Sequence, residues 1–209
     1  MTAAEITQNY INYVVKHPKK KHTLFRFATT MGIATETIQQ HFTTAKAIEQ
    51  QIWGIFFDQT LKQLSADANL FENYSAREKM LAFFFTLEEV MGKHREFIAA
   101  TYPVSWLTFS EPECLSDFKN RFLAFTNQLI TQGLDTQEIA WRAILTGRYA
   151  GLIWLEVPAI IRFWVNDQSE NFEKTDSLIE KTVNFTFDAM GHTVLDSGAD
   201  LLKFLWATR

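Results

Sequence analysis

The single cysteine, Cys114, has no partner within the chain for a disulfide, and a fold without that staple suits a reducing compartment. Proline (four) and glycine (eight) are scarce among 209 residues. So few breakers disfavour many short strands and favour long helices. Long apolar runs are missing too. The most apolar stretch, residues 140–165, is interrupted by Arg142, Arg148, Glu156 and Arg162, whereas a bilayer span needs about 20 nearly uncharged residues. The N-terminal stretch is amphipathic and lacks the apolar centre of a secretion signal. A cytoplasmic protein without a membrane segment is expected.

Chemistry-bearing patterns are equally absent. None of the five histidines follows an acid at the three-residue spacing of a helical di-metal site; Met91 and Ala189 precede His94 and His192 there. There is no His-Glu-x-x-His, no cysteine pair, no glycine-rich phosphate loop and no Gly-x-Ser-x-Gly. Cys114 follows an acidic stretch, which raises a thiol pKa and disfavours a nucleophile. The sequence reads as a non-enzyme with no cofactor and no metal.

Aromatics and helix signals are plentiful. Nineteen Phe and six Trp imply bulky packing or ring-lined cavities. Capping boxes occur at Thr2-Ala-Ala-Glu5, Ser75-Ala-Arg-Glu78, Ser110-Glu-Pro-Glu113 and Asp135-Thr-Gln-Glu138, each placing an acid three residues after a capping side chain. They predict helices from residue 3 to about 17, from 76 to about 92, from the third box to 132 with Gly133 as the stop, and over 139–156 with a kink or restart at Pro158. Further helices are expected over 45–64, 176–190 and from a cap at Asp196 or Ser197 through Trp206. No alternating strand pattern and no repeat is found. The expected class is all-α.

Charge divides the chain. Residues 1–64 carry a net +3 and the remainder a net −7, as for a nucleic-acid-facing head on an acidic body. Within the head, residues 23–42 predict two short helices joined at Gly32, where a positive φ is free of strain. Thr23 caps the first, which packs through Leu24, Phe27 and Ala28. The second turns Ile33, Ile38 and Phe42 inward and exposes Thr35, Glu36, Thr37, Gln39, Gln40 and His41. This is the build of a helix-turn-helix, whose second helix enters a DNA major groove. Gln39 or Gln40 could pair with adenine, and a Thr35 or Thr37 methyl could meet thymine. Glu36 could accept from cytosine or simply favour the helix dipole. His41 suits a base or phosphate. Lys46 and the N–H groups beside Thr44 would form a phosphate site, and Lys19, Lys20 and Lys21 either meet phosphates or are a solvated run.

Thr23, Leu24, Phe27, Ala28, Gly32, Ile33, Thr37, Ile38, His41, Phe42, Ala47 and Ile48 hold one gapless register that resembles the DNA-binding domain of TetR-type transcriptional regulators. The resemblance spans residues 3–50. It departs from the family pattern at Gln39, where an aromatic is usual, at Ala45–Lys46, where the usual lysine is displaced by one residue, and at the Pro18-Lys-Lys-Lys loop, where a glycine is usual. It implies a homodimer, a three-helix DNA-binding domain at 1–46, and a larger helical ligand-binding and dimerisation domain at 47–209.

In that body, ring stripes serve as core or as a ligand cage. The cage candidates are Phe84, Trp106, Phe109, Phe122, Trp141 and Tyr149, with Arg148, Thr146 and Glu88 as orienting polar groups. Such a lining would suit an apolar or aromatic effector. Residues 139–165 and 178–190 are the most apolar late segments and the expected dimer surface. The sequence therefore reads as a ligand-responsive repressor binding a near-palindromic double-stranded operator. The alternative is a helical protein-interaction or ligand-binding bundle that has lost DNA binding.

Overall fold

The computed structural model describes residues 1–103, 111–143 and 145–191, with the backbone alone for 67–70. Among the described residues there is no strand, and no helix is long and apolar enough to cross a membrane. The order is α1 (Ala3–Lys16), α2 (Leu24–Met31), α3 (Thr35–Gln39), α4 (Ala45–Leu64), α5 (Ala68–Asn73), α6 (Ala76–Gly92), α7 (Arg95–Thr101), α8 (Ser116–Asp135), α9 (Tyr149–Trp154), α10 (Glu156–Asn166) and α11 (Glu173–Met190). The cap of Ser110 and the segment from Asp196 to Trp206 lie outside the described residues.

Local sequence accounts for the ends of the first helices. Thr2 and Glu5 form the reciprocal capping box of α1, and Ser75 and Glu78 that of α6. Both satisfy amide groups that a helix start leaves unpaired. In α1 the stripe Ile6, Tyr10, Tyr13 and Val14 is buried against α2, α4 and α7.

α4 is the spine. Its N-terminal half packs on α1, and it also packs along α6 and α8. Rings dominate that contact: Trp53 meets Tyr102 and Phe118, Phe57 meets Phe83 and Phe118, and Phe56 stacks on His94 at 4.8 Å. One continuous core runs from Ile6 in α1 to Met190 in α11.

The expected helices over the second half are redrawn. α8 does not stop at Gly133 but continues to Asp135; the glycine sits where a Cβ would meet Ile139 Cδ1 at 2.7 Å. No helix begins at Asp135. Gln137 adopts φ 63°, and the Glu138 carboxylate turns away to accept the amides of Ala76 and Arg77 at 2.9 and 3.2 Å, adding a second cap to α6. Residues 139–143 are non-helical, and a 3-10 turn follows at Thr146–Arg148. The helix then breaks at Leu155, and α10 carries Pro158 in its first turn, where a missing N–H is tolerated. α11 starts three residues before the expected Asp176. Asp167 fixes that start by accepting the Thr175 amide and hydroxyl at 3.0 and 2.7 Å.

Candidate nucleic-acid interface

The head is assembled around Gly32. It closes α2 at φ +66°, and its N–H reaches the carbonyls of Ala28 and Thr29. With left-handed backbone at that point the chain reverses into α3 without strain. Ile38 is fully buried and Phe42 nearly so, which pins α3 on α2 by one side only. α3 is shorter than the sequence pattern suggested: regular helix covers Thr35–Gln39, while Gln40 and His41 continue as a turn whose amides still bond to Glu36 and Ile38.

At 100° per residue, Glu36 and Gln40 lie almost opposite Ile38 and crown the outward ridge. Gln39 and Thr37 flank it, and Thr35 and His41 sit on the shoulders. Glu36, Gln39, Gln40 and His41 are exposed, and Thr35 and Thr37 half-exposed. His41 is already held, its Nε2 lying 3.0 Å from the Met1 carbonyl. Lys19, Lys20 and Lys21 stand exposed in the loop after α1.

The Thr23 and Thr44 hydroxyls cap their own helices. Thr23 accepts the Arg26 amide at 3.3 Å, and Thr44 the Ala47 amide at 3.0 Å, as N-caps of α2 and α4. Lys46 is exposed but forms an ion pair with Glu113 of the body. Gln50 secures the same residue by donating to the Glu113 carbonyl at 3.0 Å. Sequence spacing gave no sign of this 67-residue contact. Beneath, Tyr10 of α1 donates to Glu49 of α4 at 2.8 Å, and burial raises the Glu49 carboxyl.

The side chains expected around an effector are not gathered on one wall. Phe84 and Phe122 are together, ring centroids 6.2 Å apart, inside a packed ring cluster with Phe83, Phe118 and Trp154. Tyr149 is buried elsewhere, its hydroxyl accepting from Arg142 at 2.8 Å. Trp141 is 71% exposed and Arg148 exposed; Trp106 and Phe109 lie outside the described residues. Thr146 caps the Arg142 amide at 2.8 Å. Glu88, between α6 and α11, is pushed up to about 8 by burial and by hydrogen bonding to Asp176.

No metal-holding group of three or more His, Cys, Asp or Glu side chains occurs among the described residues. Cys114 is buried, and burial together with Glu49 pushes its thiol up to about 12.

Residues 79–205, more than half of the chain, match the family model of the tetracyclin repressor-like C-terminal domain. No curated protein matches significantly. Among solved structures, the fold is similar to a protein assigned to the TetR family of transcriptional regulators from Syntrophomonas wolfei strain Goettingen: TM-score 0.64, 16% identity, covering 92% of this chain and 96% of that one. It is also similar to the fatty acid degradation regulator FadR of Bacillus halodurans (TM-score 0.57, 14% identity, 88% and 94% covered). A third likeness is to a protein of unknown function from Rhodococcus sp. RHA1 (TM-score 0.53, 14% identity, 89% and 95% covered).

Proposed function

The chain belongs to the TetR family of transcriptional regulators, and from that premise we propose that it is a cytoplasmic, sequence-specific DNA-binding repressor rather than an enzyme. The observation that carries the reading is the α2–Gly32–α3 unit, in which one buried isoleucine anchors a helix whose opposite ridge is polar, uncharged apart from Glu36, and free to enter a major groove. Gln39, Gln40, Thr35 and Thr37 read bases. Lys19, Lys20, Lys21 and the amino end of α4 hold phosphates.

A homodimer presents two such helices, and the late helices have the surface for it. Leu152, Leu155, Ala159 and Phe163 recur at three- and four-residue spacing along α9 and α10, as do Leu178, Thr182, Phe185 and Ala189 along α11. Leu152, Leu155 and Phe185 are 50%, 63% and 74% exposed. Two copies would bury these stripes as a four-helix contact.

Effector control would travel along α4, because its rings are embedded in the body while its first turn carries Lys46. FadR-like likeness gives fold alone, so the effector class rests on the ring-rich body: apolar or aromatic. The test is fluorescence anisotropy of the purified protein with the DNA upstream of its own gene, against unrelated DNA of equal length. Specific binding at least about a thousandfold tighter than non-specific binding is expected; equal binding to both duplexes would overturn the reading.

A further inference from the structure

Two carboxyl groups lie deep in the late helices, and their surroundings differ. Asp167 is 6% exposed and Glu156 7%. Asp167 has both oxygens occupied, one by Ser169 and the other by Thr175. Glu156, in the first turn of α10, is only half satisfied. The Thr186 hydroxyl of α11 donates to its Oε1, while Oε2 has no partner among the described residues. Buried in that way, an ionised carboxylate is costly and a neutral carboxyl far less so.

No nearby charge offsets the cost. α10 packs on α7, α9 and α11. α9 carries no charged side chain. Arg95 of α7 donates to the carbonyls of Trp164 and Asp167, and Asp188 of α11 pairs with Arg77. Glu173, Lys174 and Asp176 stand at the other end of α11 from Thr186, and Arg162 of α10 acts on Tyr102. None of these, nor Glu96, Glu180 or Lys181, shifts the Glu156 carboxyl. Burial raises it to about 7, and Thr186 alone opposes that rise.

The half-satisfied group lies directly behind the two apolar stripes. Leu155, its neighbour in sequence, is 63% exposed, and Phe185, the neighbour of Thr186, is 74% exposed. The Glu156–Thr186 bond is thus a polar tie between the helices that carry those stripes.

We propose that Glu156 makes the α10–α11 face a proton-sensitive pairing surface, an inference that rests on the homodimer reading. With the carboxyl neutral, the two helices stay closed and present Leu155 and Phe185 as one surface. When it ionises, Oε2 draws water into the seam, the helices part, and the stripes no longer match those of a second copy. Pairing in turn keeps water from the seam, so the dimer holds these protons more tightly than the monomer.

The test is sedimentation of the full chain over a range of concentrations, from about pH 6 to about pH 8.5. If pairing raises each of the two carboxyls by about half a unit, the dimer dissociation constant weakens about tenfold across that range. Glu156→Gln, neutral throughout, is expected to remove the dependence. Thr186→Val, which deletes the opposing bond, is expected to move its midpoint to higher pH. Glu88 titrates in the same range but bonds to Asp176 in the first turn of α11, so Glu88→Gln should leave the dependence in place. In parallel, amide exchange in α10 and α11 is compared between wild type and Glu156→Gln at each pH, with excess exchange expected in wild type above the midpoint. A chain that is monomeric at every pH would overturn the homodimer reading and this inference with it. A dimer whose dissociation constant does not move with pH, or moves as far in Glu156→Gln as in wild type, would overturn this inference alone. Should Glu156→Gln fail to fold, an unmoved midpoint in Thr186→Val would do the same.

Discussion

Lys46 lies in the first turn of α4, which the proposed DNA contact would use as a phosphate site, and a carboxylate of the body, Glu113, pairs with it. Both partners are more than 60% exposed, so the pair is weak and a phosphate can compete for the lysine. Glu113→Gln is expected to tighten DNA binding about two- to fivefold at low salt and to steepen its salt dependence. An unchanged affinity would place Lys46 off the phosphate path. Glu156 offers a separate test. It is buried between α10 and α11, accepts a hydrogen bond from Thr186, and keeps its second oxygen without a partner. Burial pushes its carboxyl from an ordinary 4.5 up to about 7, against the Thr186 bond, which lowers it. Below about 4.5 both folded and unfolded chains hold the proton and nothing is lost. As pH rises from there to about 7 only the unfolded chain ionises, and stability falls by on the order of 3 kcal/mol. Glu156→Gln should therefore narrow the gap in melting temperature between pH 5 and pH 8. Some gap should remain, because Glu88 acts in the same direction. An equal gap in wild type and variant would contradict the assignment.

At the scale of elements, Gly54 of α4 lies tight against the Asp117 side chain of α8. A Cβ there would lie 2.1 Å from Asp117 Oδ2, and Asp117 is fixed by Arg121, which also clamps both oxygens of Asp58 at 2.7 Å. Gly54→Ala is expected to lower stability by ~1–3 kcal/mol, measured by chemical denaturation, and adding Asp117→Ala should recover part of it. No recovery in the double variant would assign the loss to something other than this contact. The elements differ in how far the sequence exposes them. Thr2, Ser75 and Gly32 act on their own neighbours, so their helix ends are legible three residues at a time. The Asp135-Thr-Gln-Glu138 pattern misleads because Glu138 caps a helix 62 residues away; spacing alone does not distinguish a local partner from a distant one. The α3 ridge was legible from the placement of Ile38. The Lys46–Glu113 and Glu156–Thr186 contacts were not, because each joins residues whose proximity depends on tertiary packing.

For the whole molecule, the continuous core explains how an acidic body and a basic head could work together. α4 carries Phe56 against His94 and Trp53 against Tyr102, so under the proposed effector control a rearrangement in the body would be passed to α4 through these rings. The proposed dimer surface would complete such a machine, since one recognition helix reads only half of a palindrome. Phe185→Asp is expected to shift the sedimentation of the protein from dimer to monomer and to weaken DNA binding with it. A dimer that survives this change, and Leu155→Asp as well, would move the interface elsewhere. The sequence conveyed the all-helical class and the charge division because both are sums over many residues. It did not convey which rings share a wall, because Phe84 and Phe122 meet while Trp141 faces solvent, and helical periodicity is the same in either case. The central claim, that α3 reads sequence, is tested most directly by selecting duplexes from a random-sequence pool with the wild-type chain and with Gln40→Ala. The expected product for the wild type is a near-palindrome with half-sites about one helical turn apart, altered or lost at one position per half-site in the variant. A wild-type pool that never departs from random, or a motif unchanged by Gln40→Ala and by Gln39→Ala, would contradict it.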